Sequence, residues 1–265
     1  MQDRQFPQPT TTVSDFVTSE SWDHAPLGAL VGKQTLRIKN KILSSIPESE
    51  YRLVQPHLQL FRFQAQSILH EPTQRLQFAY FPSSGLISLL VATEDGKTVE
   101  AGMVGSEGVV GVASAVGLTI SPLRHLVQIP GEGLRIGVSA LQSRLKSTPQ
   151  LQLALSRYAV VQGMQVAQTA ACNRLHDIAE RLARWLLMAS DRVESNSLHI
   201  THDFLATTLG TDRPSVSLAA KALHRKKIIE HRRGIVEILN RKKLEAAACE
   251  CYKVIHQFNG VLRLK

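Results

Sequence analysis

The chain has 265 residues, 43% of them hydrophobic, and its 31 Lys+Arg against 22 Asp+Glu give a formal net charge of +9. That length suits two domains or one large one, the apolar fraction argues against a wholly disordered chain, and no apolar run approaches the ~18–20 residues of a membrane span. The cysteines (Cys172, Cys249 and Cys251) are too few for a disulfide framework, and no basic start with a long apolar stretch marks a secretory signal, so a reducing cytoplasm is expected. A basic balance calls for an anionic partner, nucleic acid or a membrane surface. The charge is uneven: residues 196–265 hold 13 Lys+Arg and 6 Asp+Glu, so +7 of the +9 lies in the last quarter. A solvated basic surface and a terminal domain that binds a polyanion both fit that asymmetry.

Residues 1–36 are rich in Thr, Ser, Pro and Gln, have no sustained period of 2 or 3.6, and read as a flexible tail. A short helix is expected around Asn40–Leu43, and another turn or two at Pro47–Val54. From Leu58 to Ile136 short apolar segments alternate with turns: Phe78–Phe81, Leu86–Val91, Lys97–Ala101 and Leu126–Ile129 are strand candidates. Asp95-Gly96 is a hairpin signal, since both central positions of a tight turn favour residues that tolerate positive φ. Ten of the 16 glycines fall between Gly85 and Gly137. Many short strands with Gly-rich turns suggest an antiparallel barrel or roll.

At Ser147-Thr148-Pro149 the pattern turns helical, with a hydroxyl to cap free N–H groups and Pro in the first turn. Leu153, Val160, Met164, Ala167 and Ala171 form a seam that could meet a second copy of itself, while Leu151, Leu155 and Tyr158 pack on the chain's own domain. A helix packed only within its own domain is the competing reading of the seam. Over His176–Ala189, Ile178, Leu182, Trp185 and Leu186 make one apolar stripe, with Arg181 and Arg184 off it. Asp191–Ser197 reads as a loop.

The sharpest signal is His202–Lys221. Thr201 is a plausible N-cap, Leu205 and Leu209 face inward, Gly210 ends the first helix, Asp212 caps the second and Pro214 sits in its first turn. Val216, Ala219 and Leu223 return to the core. This is a helix–turn–helix, with an ordinary αα-hairpin as the alternative. The hairpin Lys226–Leu239 follows, with Arg232 and Arg233 near its tip, suited to phosphate contact. Leu244–Tyr252 is expected to be a final helix.

Other chemistry lacks support. There is no Gly-rich phosphate loop between strand and helix, no Gly-x-Ser-x-Gly elbow and no zinc-spaced His/Cys set, so no enzyme is expected. His199 and His202 straddle a helix start without a third ligand. Cys249-x-Cys251 alone is a poor cluster site, and haem ligation by His70 or His125 has no further support. No metal is expected.

Together these segments resemble the Crp/Fnr family of bacterial transcription regulators. The resemblance rests on Phe81-Pro-Ser-Ser-Gly85-Leu-Ile-Ser88, Glu100-Ala-Gly-Met-Val-Gly105-Ser-Glu-Gly108, Leu182-Ala-Arg-Trp-Leu186 and Phe204-Leu-Ala…Gly210…Arg213-Pro-Ser-Val216, and spans about Leu53–Tyr252. It implies an α+β chain: a flexible tail at 1–36, a cyclic-nucleotide-binding-like antiparallel β-roll at 37–146, a dimerisation helix at 147–172 and a winged helix–turn–helix at 173–265. The implied function is a transcription regulator that binds a roughly palindromic duplex site as a homodimer. Thr201, Arg213, Ser215, Ser217, Lys221, Arg232 and Arg233 would touch DNA, with Arg213 matching the family's base-reading arginine. Pro214 stands where some members carry Glu, so the operator would differ from theirs. RNA polymerase becomes a partner only if the protein activates. An effector pocket would involve Gly105, Glu107, Gly108 and Arg124, but the arginine comes late, 17 positions after Glu107, so cyclic nucleotide is not the expected ligand. No iron–sulfur cluster is expected, because members of that kind use an N-terminal cysteine cluster. The alternative function is a ligand-sensing module whose basic end binds RNA or a membrane surface.

Overall fold

The computed structural model describes residues 39–261, and the expected tail at 1–36 lies outside them. Helix α1 (Lys41–Ser45) is capped by Asn40, whose Oδ1 accepts from the Ile42 and Leu43 amides at 3.2 Å while its Nδ2 donates to the Pro82 and Gly108 carbonyls. Helix α2 (Glu48–Val54) follows. Strands β1 (Gln59–Phe63), β2 (Ile68–His70), β3 (Phe78–Pro82), β4 (Leu86–Ala92), β5 (Thr98–Val104), β6 (Arg124–Ile129) and β7 (Gly131–Gly137) build two antiparallel sheets, in the orders β1-β7-β3 and β2-β6-β4-β5. Phe63, Phe81, Ile87, Leu89, Val104, Val127 and Ile136 lie buried between them, which gives the expected roll. The β4–β5 connection differs from a two-residue turn. It spans Thr93–Lys97, with the Thr93 amide donating to the Lys97 carbonyl, and only Gly96 takes positive φ (+81°), because the wider loop relieves Asp95 of that conformation.

Helix α3 (Val138–Leu145) leads into α4 (Pro149–Leu175), which runs three residues past the expected end at Cys172. Its start is not capped by Thr148, whose hydroxyl instead donates to the Arg144 carbonyl. The Glu50 carboxylate of α2 supplies the cap, accepting from the Gln150 and Leu151 amides at 3.0 Å each. A charged acceptor at a helix N-terminus also meets the positive end of the helix dipole.

Helix α5 (Ile178–Val193) opens with a capping box between Asp177 and Glu180. Around it fold β8 (Ser197–His199), α6 (His202–Leu209), α7 (Arg213–Arg225), β9 (Ile229–Arg232), β10 (Ile235–Ile238), α8 (Arg241–Ala247) and α9 (Cys251–Val261), with the strands ordered β8-β10-β9. Two expectations are corrected. The loop expected at Asp191–Ser197 is the end of α5 and the start of β8. The single final helix is two helices, parted where Ala248 takes an extended backbone.

The two halves share a core. Alternate residues of β4 face opposite ways: Ile87 and Leu89 point into the roll, while Leu86, with Met103 of β5, joins Leu182, Trp185 and Leu186 of α5. Arg181 and Arg184 of α5 are buried although they lie off its apolar stripe: Arg181 donates to the Leu209 carbonyl of α6 and Arg184 to the Thr169 hydroxyl of α4 at 3.3 Å. Between the halves Glu100 of β5 accepts from the Ser88 hydroxyl at 2.6 Å and from the Trp185 indole N–H at 2.9 Å. Arg192 of α5 forms an ion pair with Glu107 at 3.0 Å.

Candidate nucleic-acid interface

The helix–turn–helix is assembled from local signals. The Thr201 hydroxyl accepts from the Phe204 amide at 3.3 Å and starts α6. Leu205, Ala206 and Leu209 are buried against Val216, Ala219, Ala220 and Leu223 of α7. Gly210 sits between the helices at φ +59°, where a side chain would be strained. The Asp212 carboxylate caps α7 by accepting from the Ser215 amide at 2.8 Å, and Pro214 falls within the first helical turn.

With one face of α7 buried, Arg213, Pro214, Leu218, Lys221 and Arg225 are left on the outer face. Arg213 lies 3.4 Å from Asp203 of α6, but both side chains are about two-thirds exposed, so water screens the pair and the guanidinium can be redirected at little cost. Besides Thr201, two more of the expected contact residues are hydrogen-bonded within the unit. The Ser215 hydroxyl donates to Asp212 at 2.9 Å, and the Ser217 oxygen lies 3.0 Å from Nδ1 of His202. Leu218, 72% exposed, was not among the expected residues. The signal for it was present: it is four residues after Pro214 and off the core positions.

The wing is the β9–β10 hairpin, turned by Arg233 (φ +43°) and Gly234 (φ +82°). Arg232 and Arg233 are both exposed, and Arg232 reaches back to Glu230 of its own strand at 2.7 Å. His202 and His231 stack at 4.2 Å and join α6 to the wing. Burial holds both below the ordinary imidazole range, and the neighbouring His231 and Arg213 lower His202 further, so both favour the neutral form.

Leu153, Val160, Met164, Ala167 and Ala171 are all exposed on α4, whereas Leu151, Leu155 and Tyr158 are buried, as the two-faced spacing implies. The structure does not bring the four effector-pocket residues together. Arg124 pairs with Glu71 at 2.8 Å, and it sits beside Leu90 and hence Glu100, whereas Glu107 follows the far end of β5. The Gly105–Gly108 turn is closed by the chain itself: Glu107 accepts from the Gly105 amide and pairs with Arg192, and a Cβ on Gly108 would overlap the Tyr158 ring. Elsewhere, Cys172, Cys249 and Cys251 converge with His176, their ligand atoms within 4.8 Å of one another. The expectation of no metal came from sequence spacing, in which Cys249-x-Cys251 is a poor cluster site and His199 and His202 lack a third ligand; Cys172 and His176 reach Cys249 and Cys251 only through the fold. No helix among the described residues is long and apolar enough to cross a membrane.

Residues 180–247 match a family model described as a Crp-like helix-turn-helix domain. No curated protein sequence matches the chain. Among solved structures it is similar in fold to FixK2 from Bradyrhizobium japonicum, 15% identical, with 72% of this chain and 98% of that one covered and a TM-score of 0.63. It is also similar to CLP from Xanthomonas campestris, titled a c-di-GMP responsive global regulator, at 17% identity, coverage of 72% and 99%, and a TM-score of 0.60. CooA from Carboxydothermus hydrogenoformans, solved as a mutant, is 18% identical, with coverage of 81% and 97% and a TM-score of 0.56. The chain therefore carries a Crp-like helix–turn–helix domain at residues 180–247, and its overall fold is that of these solved structures.

Proposed function

We propose that this protein is a transcription regulator that binds a roughly palindromic duplex site as a homodimer, its β-roll serving as the sensor half. The observation that carries the reading is the free outer face of α7, with Arg213 at its N-terminal end beside a wing tipped by Arg232 and Arg233. A helix of this kind enters the major groove N-terminus first, and an arginine there can bond guanine O6 and N7 together. In this reading Leu218 lies where an apolar side chain meets a thymine methyl group, and Lys221, Arg232 and Arg233 neutralise phosphates. Thr201 stands at the start of α6, in reach of the backbone, while Ser215 and Ser217 shape the unit and reach DNA only by leaving their present partners. The exposed stripe Leu153–Ala171 on α4 supports a two-fold dimer, in which the same residues face themselves. Two such units would read half-sites about one helical turn apart, ~34–36 Å.

The test is selection of duplexes from a random library by the full chain, followed by titration of the selected site and a scrambled one. A two-fold-symmetric consensus is expected. Arg213→Ala should weaken the selected site by about 1–3 kcal/mol and leave the scrambled duplex nearly unchanged. Lys221→Ala should weaken both and lower the salt slope by about one. Equal loss on both duplexes for Arg213→Ala, or tighter binding to single-stranded RNA or anionic vesicles, would sink the reading.

A further inference from the structure

The chain has three cysteines, and all three meet at one buried point with a histidine. Cys172 lies in the last turn of α4, and His176 follows four residues on, just past the helix end. Cys249 sits in the break between α8 and α9, and Cys251 is the first residue of α9. The Cys172 and Cys249 sulfurs are 3.5 Å apart, and the Cys251 sulfur is 3.6 Å from Nδ1 of His176. Sulfurs that far apart are free thiols, not a disulfide.

We infer that Cys172, His176, Cys249 and Cys251 form a closed tetrahedral site for one soft divalent ion of the zinc class, which ties the end of α4 to the C-terminal helix α9. Distances set the nuclearity. An ion about 2.3 Å from each sulfur and about 2.0 Å from nitrogen separates its ligand atoms by roughly 3.5–3.8 Å. The two closest pairs already have that spacing, and the remaining pairs lie within 4.8 Å. An iron–sulfur cluster needs its cysteines spread across several irons, which this compact set does not provide. The ligand type sets the metal: thiolates with imidazole select zinc over oxygen-seeking ions.

The surroundings are those of an ion site. Nε2 of His176 faces the Glu250 carboxylate at 3.3 Å, which leaves Nδ1 turned to the sulfurs, and Gln168 donates to the Cys251 sulfur at 3.0 Å. Such outer contacts orient the ligands and stabilise thiolate. Three thiolates with one divalent ion carry a net negative charge. Arg181 and Arg184 lie close enough to act electrostatically on Cys172 and Cys249, are buried, and make no ion pair among the described residues. Buried guanidinium groups need a countercharge, and the occupied site supplies one. No bond forms other than coordination; the thiols release their protons to solvent as the ion enters.

The experiment titrates Co2+, then Zn2+, into the full chain purified anaerobically. One equivalent of Co2+ should give the intense visible bands of tetrahedral cobalt and a near-ultraviolet thiolate charge-transfer band, and Zn2+ should abolish both. Cys251→Ser, which leaves two of the three thiolates, should lower the thiolate band by about a third and weaken the ion. Glu250→Gln, an exposed change that leaves all four ligands in place, should fold normally and weaken the ion about 10–100-fold. A wild-type chain that shows no tetrahedral spectrum would overturn the proposal. So would iron with equimolar sulfide in the isolated protein, or a single titratable thiol where three are expected. These readouts do not depend on DNA, so they stand or fall separately from the operator test.

Discussion

His125 and His70 face each other across β6 and β2, both buried, with ring centroids 5.0 Å apart. Burial, and then the neighbouring His70, push His125 down to about 3. In the unfolded chain His125 takes up its proton near 6.5, but the folded roll resists it until about pH 3. Stability is therefore fully present above the unfolded value and is lost as pH falls from about 6.5 toward 3, by about 1.4 kcal/mol per pH unit. His125→Gln should remove that loss. Urea midpoints at pH 7 and pH 4.5 should drop further in the wild type than in the variant, and equal drops would show that His125 does not govern acid sensitivity. In the sequence these histidines are isolated, 55 positions apart, and each reads as a lone ligand at best. Their pairing is a matter of strand register, which no local pattern reports.

Helix starts that depend on neighbours in sequence were legible in part: all four helices capped by Asn40, Asp177, Thr201 and Asp212 were expected, and Thr201 and Asp212 were expected as their caps, whereas Asn40 and Asp177 were placed within or beside their helices without that role. Where the cap comes from elsewhere the local pattern misleads, as at α4, whose amides are held by Glu50 about a hundred residues earlier. The faces of α4 were also legible, because a helix repeats every 3.6 residues whatever surrounds it. In the proposed dimer the exposed stripe lies on a two-fold axis, so each substitution is met by itself. Val160→Glu would place two carboxylates against each other where two apolar groups had been covered. The expected outcome is monomer in native mass spectrometry at concentrations where the wild type is dimeric, with an unchanged circular dichroism spectrum. A variant that stays dimeric at those concentrations would move the interface off this face.

At the scale of the molecule, what the sequence did not display is that the β-roll and the C-terminal helix–turn–helix domain enclose one helix. The stripe on α5 was visible, yet Arg181 and Arg184 off that stripe are buried too, Arg181 donating to the Leu209 carbonyl of α6 and Arg184 to the Thr169 hydroxyl of α4. The same enclosure buries Glu100 between the halves, where it accepts from Ser88 and Trp185. Burial raises its carboxyl to about 7, against the opposing pull of those two hydrogen bonds and of Arg184 and Arg192. The folded chain then keeps a proton that the unfolded chain releases near 4.5, so this group's contribution is complete below about 4.5 and is lost as pH rises through 7. The span corresponds to a cost on the order of 3 kcal/mol by pH 8, opposite in sign to that of His125. Glu100→Gln keeps an oxygen for the indole N–H and cannot ionise. The difference in unfolding free energy between variant and wild type, followed from pH 5 to pH 8, should therefore grow in favour of the variant. A pH-independent difference would mean that Glu100 is ionised throughout, held by Arg184 and Arg192, and that the two halves are joined by their shared apolar core without a titratable link.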